Sequence, residues 1–217
     1  MSSDLTPMER FIRGVIPENP VYRQLLGLCP ILAVTNGVAT AMTMAGATAF
    51  VLICSNLLIS SIRGLLKPHL RILVFTLTIA TFVTIVDKAL AAYLYSMSKA
   101  LGPYIPLIIV NCLIIARCEM CASKSSLPHA FMDGLGNAVG FALALLSIST
   151  VRELLGAGTW FGIQILPQSA WPGWGVLVLP PGAFLTLGIL LAIVEWYSKR
   201  KKTSAPETST STEASAA

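Results

Sequence analysis

Charged residues are scarce in this chain. Only 12% of its 217 residues are Asp, Glu, Lys or Arg, whereas 55% are hydrophobic. A soluble domain would carry about twice that charged fraction. The apolar runs are continuous rather than alternating, which argues against a transmembrane β-barrel. The composition therefore predicts an all-α integral membrane protein that crosses the bilayer several times.

Motifs for independent catalysis are also missing. The two histidines, His69 and His129, have no metal-binding companion near them in the sequence, and no glycine-rich nucleotide fingerprint follows a strand. The first residues lack the apolar core of a signal peptide, so we expect no cleavage. The net charge of +5 comes from basic residues beside apolar segments, which is typical of membrane orientation rather than nucleic-acid binding. We do not expect the chain alone to bind NADH, flavin or quinone, and whether it is an enzyme by itself stays open.

Hydrophobic segments account for most of the chain. Six of them lie at about 21–35, 38–62, 70–97, 104–117, 131–154 and 174–197. The second, third, fifth and sixth are long enough to cross about 30 Å of hydrocarbon as helices. The first and fourth are short, because Pro30 interrupts the first and Pro103 and Pro106 open the fourth.

Basic residues collect on one side of the membrane if the N-terminus is cytoplasmic. They are Arg10, Arg13, Arg63, Lys67, Arg71, Arg117, Lys124 and the run 199–202. This distribution agrees with the positive-inside rule. We therefore predict a cytoplasmic N-terminal segment (1–19), a six-helix membrane domain (20–198) and a disordered cytoplasmic tail (199–217) that is too polar to form a core.

The membrane domain divides into two similar halves, at about 20–99 and 103–198. Each half has a short segment followed by two long ones, and GLCPILA in the first half resembles VNCLIIA in the second. Because three crossings separate the halves, the second half runs opposite to the first. The pattern predicts two inverted three-helix repeats, with half-helices at segments one and four.

Two cysteines occupy matching positions in the short segments. Cys29 lies about nine residues past Pro20, and Cys112 lies about nine residues past Pro103. If both segments enter as helices, each thiol is roughly 13 Å deep at 1.5 Å per residue, close to half of a core of about 30 Å. We predict that both thiols approach the midplane from opposite faces. We also expect Pro30 to end a half-helix, so that Cys29 faces a partner subunit.

The thiols have two competing interpretations. Free cysteine is usually a small buried hydrophobe, but thiolates are also soft ligands for iron–sulfur clusters. Cys29 and Cys112 would supply half of the four ligands of a [2Fe–2S] cluster, so a partner subunit would have to supply the others. Cys54 is expected to serve packing, and Cys118 and Cys121 form a lone CxxC pair that predicts a zinc site only weakly.

Charged residues inside apolar segments are a second set of candidates. Asp87 and Lys88 lie in the third segment, and Arg152 and Glu153 lie near the end of the fifth. The two pairs correspond under the repeat with their signs reversed. They are interpreted either as paired charges near helix ends or as an ion network or cation path at a subunit interface. Asp133 is a weaker cation candidate.

Several separated motifs resemble one family of membrane subunits. They are NPVYRQLLGLCPILAVTN, IPLIIVNCLIIARCE, RELLGAGTWFG and LPPGAFLTLG. Together they resemble the integral membrane subunits of the Rnf complex and of Na⁺-translocating NADH:quinone reductase, in particular the family that comprises the E-type subunit of Rnf and its equivalent, the D-type subunit of the reductase. The resemblance covers about residues 17–197.

This resemblance implies a shared cofactor and an assembly. Two paralogous six-helix subunits, here this chain and an A-type Rnf subunit, would pair in opposite orientations in a bacterial inner membrane. A [2Fe–2S] cluster would lie between four cysteines, two from each subunit, which in this chain are Cys29 and Cys112. It would carry electrons between flavin-containing and iron–sulfur subunits, in a complex that couples ferredoxin and NAD(H) chemistry to Na⁺ or H⁺ movement.

Two other functions stay open from the sequence. Inverted repeats with broken helices are also common in secondary transporters. A transporter should place polar, substrate-contacting groups at its helix breaks, whereas this chain has apolar surroundings and a cysteine at each one. The other alternative is a scaffold subunit without a cofactor, in which both thiols only pack.

Overall fold

The structure is a computed structural model that describes residues 7–15, 19–65, 68–156, 158–161, 163–164 and 179–203. Its helices are α1 (Pro7–Val15), α2 (Leu28–Val34), α3 (Val38–Ile62), α4 (Arg71–Tyr93), α5 (Tyr95–Leu101), α6 (Pro106–Ile109), α7 (Cys112–Arg117), α8 (Leu127–Gly156) and α9 (Pro180–Thr203). A single ladder joins β1 (Thr159–Trp160) to β2 (Ile163–Gln164), and short 3₁₀ or π turns account for the other regular structure in these ranges. The prediction of an all-α membrane protein is confirmed.

Among the described residues, four helices are long and apolar enough to cross a membrane, namely α3, α4, α8 and the Pro180–Tyr197 part of α9. A fifth crossing is formed if α5 is joined to the stretch Pro106–Ala122, which is bent from it by 67°. The first predicted segment contains only the seven-residue helix α2, which extends about 10 Å and cannot cross alone. The count of six crossings and the inverted repeats therefore stay predictions.

The core forms where α3 packs against α8 and α4. Small residues let the two longest helices approach, as is usual in membrane bundles. A Cβ atom on Gly134 of α8 would lie 3.0 Å from the Asn56 side chain and 3.6 Å from the backbone of Ile53 on α3. Fully buried side chains of α3 and α4 fill the same core; they are Val51, Leu52, Ile59, Phe75 and Ile79. The helices α3, α4 and α8 thus share one buried core against which the shorter helices pack.

The N-terminal helix α1 packs directly on α8 instead of standing apart from the membrane domain. Two glycines make the contact possible, because a Cβ on Gly136 would lie 2.7 Å from the carbonyl oxygen of Phe11, and one on Gly140 would lie 2.7 Å from that of Gly14. The side-chain amide of Asn19 then donates to the carbonyl of Gly140 at 3.1 Å. Both α1 and Asn19 thus pack along α8, and the division of the chain at residue 20 stays a prediction.

The described residues between Arg10 and Thr35 make contacts at both ends of α8. Arg10 donates to Ser125, just before α8 begins, at 3.3 Å. Thr35 accepts a hydrogen bond from Arg152, near the end of α8, at 2.6 Å. At 30 residues, α8 is about 45 Å long. The helix α2 therefore covers only part of a path that extends from one end of α8 to the other.

At the other end of the chain, α9 continues to Thr203. Residues 199–203 of the predicted tail are thus helical, and residues 204–217 lie outside the described part of the chain. The start of the sixth predicted segment, 174–178, also lies outside it.

Candidate functional site

The two interrupted segments meet at the residues that begin their half-helices. Cys29 is the second residue of α2, and Cys112 is the first residue of α7. The backbone N–H of Gly27, the residue that precedes α2, donates to the Cys112 Sγ atom at 3.0 Å. The N-terminal ends of the two half-helices are therefore adjacent, although 85 residues separate Gly27 from Cys112 in the chain.

Pro30 has a different role from the one predicted. It is the third residue of α2 and so lies in the first turn of this half-helix, where the missing N–H would have no intrahelical partner in any case. The proline therefore helps to begin a half-helix and does not end one. The assumption of helical entry is also wrong for Cys29, because residues 20–24 form turns. For Cys112, a break at Val110 and Asn111 separates α6 from α7.

Gly27 occupies a position that only glycine fits well. Its φ angle is +76°, in the left-handed region that costs other residues free energy. A Cβ atom there would also lie 2.8 Å from the ring of Phe141 and 3.6 Å from the side-chain oxygen of Asn111. Phe141 lies halfway along α8. The contact between Gly27 and Cys112 is therefore held beside the middle of α8, the longest of the described helices.

From this point the two half-helices extend in opposite directions along α8. The C-terminal end of α2 reaches Arg152 through Thr35, at a distance of 2.6 Å. The C-terminal end of α7 reaches Asp133 through an ion pair with Arg117, at 3.5 Å. Each half-helix thus begins near the middle of α8 and ends near one of its termini.

Asn111 shapes the start of α7 in a way that sequence reading missed. Its Oδ1 atom accepts a hydrogen bond from the N–H of Leu113 at 3.0 Å, which is a standard helix N-cap. The side chain is buried, with 1% of its surface exposed. Its amide nitrogen, Nδ2, has no hydrogen-bond partner among the described residues. The available signal was an asparagine directly before a cysteine in an apolar run.

Exposure separates the five cysteines. Cys29 and Cys112 are exposed, Cys54 is half-buried, and Cys118 and Cys121 are buried. The Cys118 thiol lies 3.5 Å from the side-chain oxygen of Asn56, and Cys121 lies 3.5 Å from the guanidinium of Arg10. Within the described ranges, no three or more His, Cys, Asp or Glu side chains group as metal ligands. Cys29 and Cys112 are therefore the two exposed thiols, one at the start of each half-helix.

The charged residues inside apolar segments have different surroundings. Arg152 is buried and donates to Thr35 Oγ1 at 2.6 Å and to the Leu179 carbonyl at 3.2 Å. Glu153 is also buried, and its Oε2 accepts from the N–H of Val38, the first residue of α3, at 2.6 Å. The two side chains thus hold the turn between α2 and α3.

Asp87 and Lys88 lie elsewhere, near the C-terminal end of α4. Asp87 is half-buried and Lys88 is exposed, and neither side chain makes a hydrogen bond or ion pair with any other residue that the structure describes. Asp133, the weaker cation candidate, faces Arg117 in a buried ion pair. A cation path through these residues stays a prediction.

Similarity to known proteins places the chain in a family. A family model described as Rnf-Nqr subunit, membrane protein, matches residues 7–191. The chain belongs to the Rnf-Nqr family of membrane subunits. It is 44% identical over 193 residues to the E-type subunit of the Na⁺-translocating ferredoxin:NAD⁺ oxidoreductase complex of Acetobacterium woodii, with 89% of this chain and 98% of the relative covered.

Other members of the Rnf-Nqr family carry the name of the related complex. The D-type subunit of the Na⁺-translocating NADH-quinone reductase of Aeromonas hydrophila is 44% identical over 194 residues, covering 87% of this chain and 92% of the relative. The same subunit of Shewanella sp. W3-18-1 is 42% identical over 200 residues, covering 90% and 95%. The resemblance found in the sequence is thereby confirmed, and these relatives are membrane subunits of ion-pumping redox complexes.

Proposed function

We propose that this chain is the E-type membrane subunit of an Rnf ferredoxin:NAD oxidoreductase and that Cys29 and Cys112 ligate an intramembrane [2Fe–2S] cluster. The observation that supports this most is the juxtaposition of the two half-helix starts, where the Gly27 N–H meets the Cys112 sulfur at 3.0 Å. The family supports the redox complex over a secondary transporter, because the relatives are named as subunits of oxidoreductases.

The residues present fit such a cluster. Thiolates are its usual ligands, and hydrogen bonds to sulfur are among the protein's means of setting its reduction potential. Here the Cys112 sulfur accepts the backbone N–H of Gly27. Both thiols are exposed, so a second protein can reach them. When bound, the cluster would supply one-electron transfer.

The number of ligands requires a partner. A [2Fe–2S] cluster takes four protein ligands, and this chain presents two thiols at the site. A paralogous A-type Rnf subunit, in the opposite orientation, would supply two more across the face that bears Cys29 and Cys112. The cluster would then be shared between the two proteins, and neither chain alone would hold it.

The proposed membrane arrangement follows from the path of the chain along α8. Arg10 contacts Ser125 just before α8, Thr35 contacts Arg152 near its end, and the two half-helices diverge from its middle. We propose six crossings arranged as two inverted repeats, for which the diverging half-helices are the support. The proposed bacterial inner membrane location with both termini cytoplasmic rests on the family resemblance and on the basic residues collected on one side. Electrons would pass between flavin-containing and iron–sulfur subunits of the complex, coupled to Na⁺ or H⁺ transport.

Removing either thiol tests the proposal. We expect Cys29→Ala and Cys112→Ala to abolish the [2Fe–2S] EPR signal of this site and to lower the iron content of the purified complex. Cys54→Ala, which changes a half-buried thiol on α3, is the matched control and should leave both unchanged. Undiminished iron and EPR signal in both site variants would overturn the proposal. A full cluster on the isolated chain would contradict the shared-ligand arrangement.

A further inference from the structure

Arg152 is a buried cation inside a membrane-spanning helix. It lies near the C-terminal end of α8, and only 1% of its surface is exposed. A charged side chain in such a segment is unfavourable unless it is paired, and its presence calls for a role. Its Nη1 atom donates to Thr35 Oγ1 at 2.6 Å, and its Nη2 atom donates to the carbonyl of Leu179 at 3.2 Å. Arg152 therefore holds the end of α2 and the residue before α9 against α8.

The contact with Thr35 continues into α2. Thr35 is fully buried and directly follows the last residue of this helix, and its hydroxyl donates to the Ile31 carbonyl at 2.6 Å. That carbonyl is one of the last four of α2, for which the helix itself supplies no partner. A hydroxyl can donate one hydrogen bond while it accepts another. The guanidinium of Arg152 is thus connected, through Thr35, to a residue two positions after Cys29.

The helix α2 is too short to hold its own position. It has seven residues and is about 10 Å long, and a helix of this length is not stable by itself. Its position therefore depends on contacts at its two ends. Just before its start, Gly27 donates to the Cys112 sulfur at 3.0 Å, and just after its end Thr35 accepts from Arg152. Cys29, the second residue of α2, lies between these two anchors.

The second half-helix is anchored at a different place. It begins with Cys112 and ends at Arg117, which is also buried and forms an ion pair with Asp133 of α8 at 3.5 Å. Asp133 and Arg152 are 19 residues apart on α8, which corresponds to about 28 Å along the helix. Loss of the Arg152 contact should therefore release the end of α2 and leave the end of α7 in place.

We propose that Arg152 is a positioning residue that fixes Cys29 for cluster binding, because it holds the far end of α2 through Thr35. The role in cluster binding rests on the proposed function, whereas the effect on the position of Cys29 does not. Arg152 neither touches the cluster nor exchanges electrons with it. It acts only through the half-helix that bears the thiol.

Nitroxide labels on the two exposed thiols report on each half-helix in the full chain without a cluster. Each label is read in a chain in which Cys54 and the other exposed thiol are replaced by alanine. We expect Arg152→Met to raise the mobile fraction of the Cys29 label about tenfold, the factor that one hydrogen bond to a charged group contributes. The Cys112 label should not change. An equal change at both labels, which a general loss of structure would cause, or no change at Cys29 would overturn the inference.

Thr35 provides a second variant and a matched control. Thr35→Val removes the hydroxyl that links Arg152 to α2 and should mobilise the Cys29 label, whereas Thr35→Ser keeps the hydroxyl and should not. Thr186 of α9 is 3% exposed, and its hydroxyl donates to carbonyls of its own helix. Thr186→Val should leave the Cys29 label unchanged, and a response equal to that of Thr35→Val would contradict the inference. If Thr35→Val does not assemble, Arg152→Met decides, because it removes the buried cation together with the contact.

Iron retention tests the role of Arg152 in the assembled complex. We expect a chelator to remove iron from the Arg152→Met complex about ten times faster than from the unmutated complex. Arg152→Lys keeps a cationic donor, and its rate should lie between the two. Iron that survives Cys29→Ala and Cys112→Ala would refute the proposed cluster. A Cys29 label that does not respond to Arg152→Met, or an unchanged rate of iron loss from a complex whose cluster depends on both cysteines, would refute the role of Arg152.

Discussion

A single methyl group added at Gly27 should disturb the contact between Gly27 and Cys112. Gly27→Ala places a residue with a side chain at φ +76°, which costs about 1–2 kcal/mol. Its Cβ would lie 2.8 Å from the ring of Phe141, and overpacking of this kind costs about 1–3 kcal/mol. Together the two effects destabilise the local structure by about 2–5 kcal/mol.

The Gly27→Ala change should lower the unfolding temperature and alter the EPR line shape. For a chain of this size, each kcal/mol lowers the unfolding temperature by about 2–4 °C, so we expect a decrease of at least about 4 °C. This can be followed by tryptophan fluorescence of the purified complex. Because the Gly27 N–H donates to the Cys112 sulfur, the EPR line shape of the proposed cluster should change as well.

Two companion variants test whether the destabilisation comes from the crowding at Gly27. Gly188→Ala on α9 adds a methyl group where nothing lies within 4 Å, and it should be tolerated. Phe141→Leu removes the ring that the added methyl group of Gly27→Ala would contact. The double variant Gly27→Ala/Phe141→Leu should therefore lose less free energy of unfolding than the two single variants together, and the difference should be about 1–3 kcal/mol. The reasoning would be refuted if Gly27→Ala behaved like Gly188→Ala, or if the two changes were simply additive.

Two other contacts give further predictions. Glu153→Ala removes the carboxylate that accepts the first N–H of α3 at 2.6 Å and should lower the free energy of unfolding by about 0.5–2 kcal/mol. Glu153→Gln keeps an acceptor and should lower it less. Equal unfolding temperatures of the two variants would argue against the cap. Gly136→Ala places a Cβ 2.7 Å from the α1 backbone and should displace that helix. Maleimide should then label Cys121 faster, as measured for that site alone. The control is Gly46→Ala, where nothing lies within 4 Å of the added carbon. Equal labelling rates in the two variants would contradict the docking of α1.

The long helices could be predicted from the sequence because apolar run length determines them directly. The segment expected at 38–62 is helix α3, Val38–Ile62. The segment expected at 131–154 is α8, which begins four residues earlier and ends two residues later. In a membrane, a continuous apolar run has to satisfy its own backbone hydrogen bonds, so the helix and its length follow together.

The short elements could not be read in the same way. Nothing local to α1 indicates that it packs on Gly136 and Gly140, which lie more than 100 residues later. Pro30 is compatible with either end of a half-helix, and the choice depends on the left-handed Gly27 before it. The sequence indicated that Cys29 and Cys112 correspond, but the proximity of the two half-helix starts depends on tertiary packing.

The packing of α1 on α8 also has a consequence for the order of synthesis. Arg10 and Cys121 are 111 residues apart, and Asn19 and Gly140 are 121 residues apart. At about 5–20 residues per second, roughly 6–24 s pass between the synthesis of α1 and that of the surface it covers. The helix α1 is thus made long before the surface on which it docks. Gly27 and Cys29 cannot reach their final positions until the second half of the chain has been inserted.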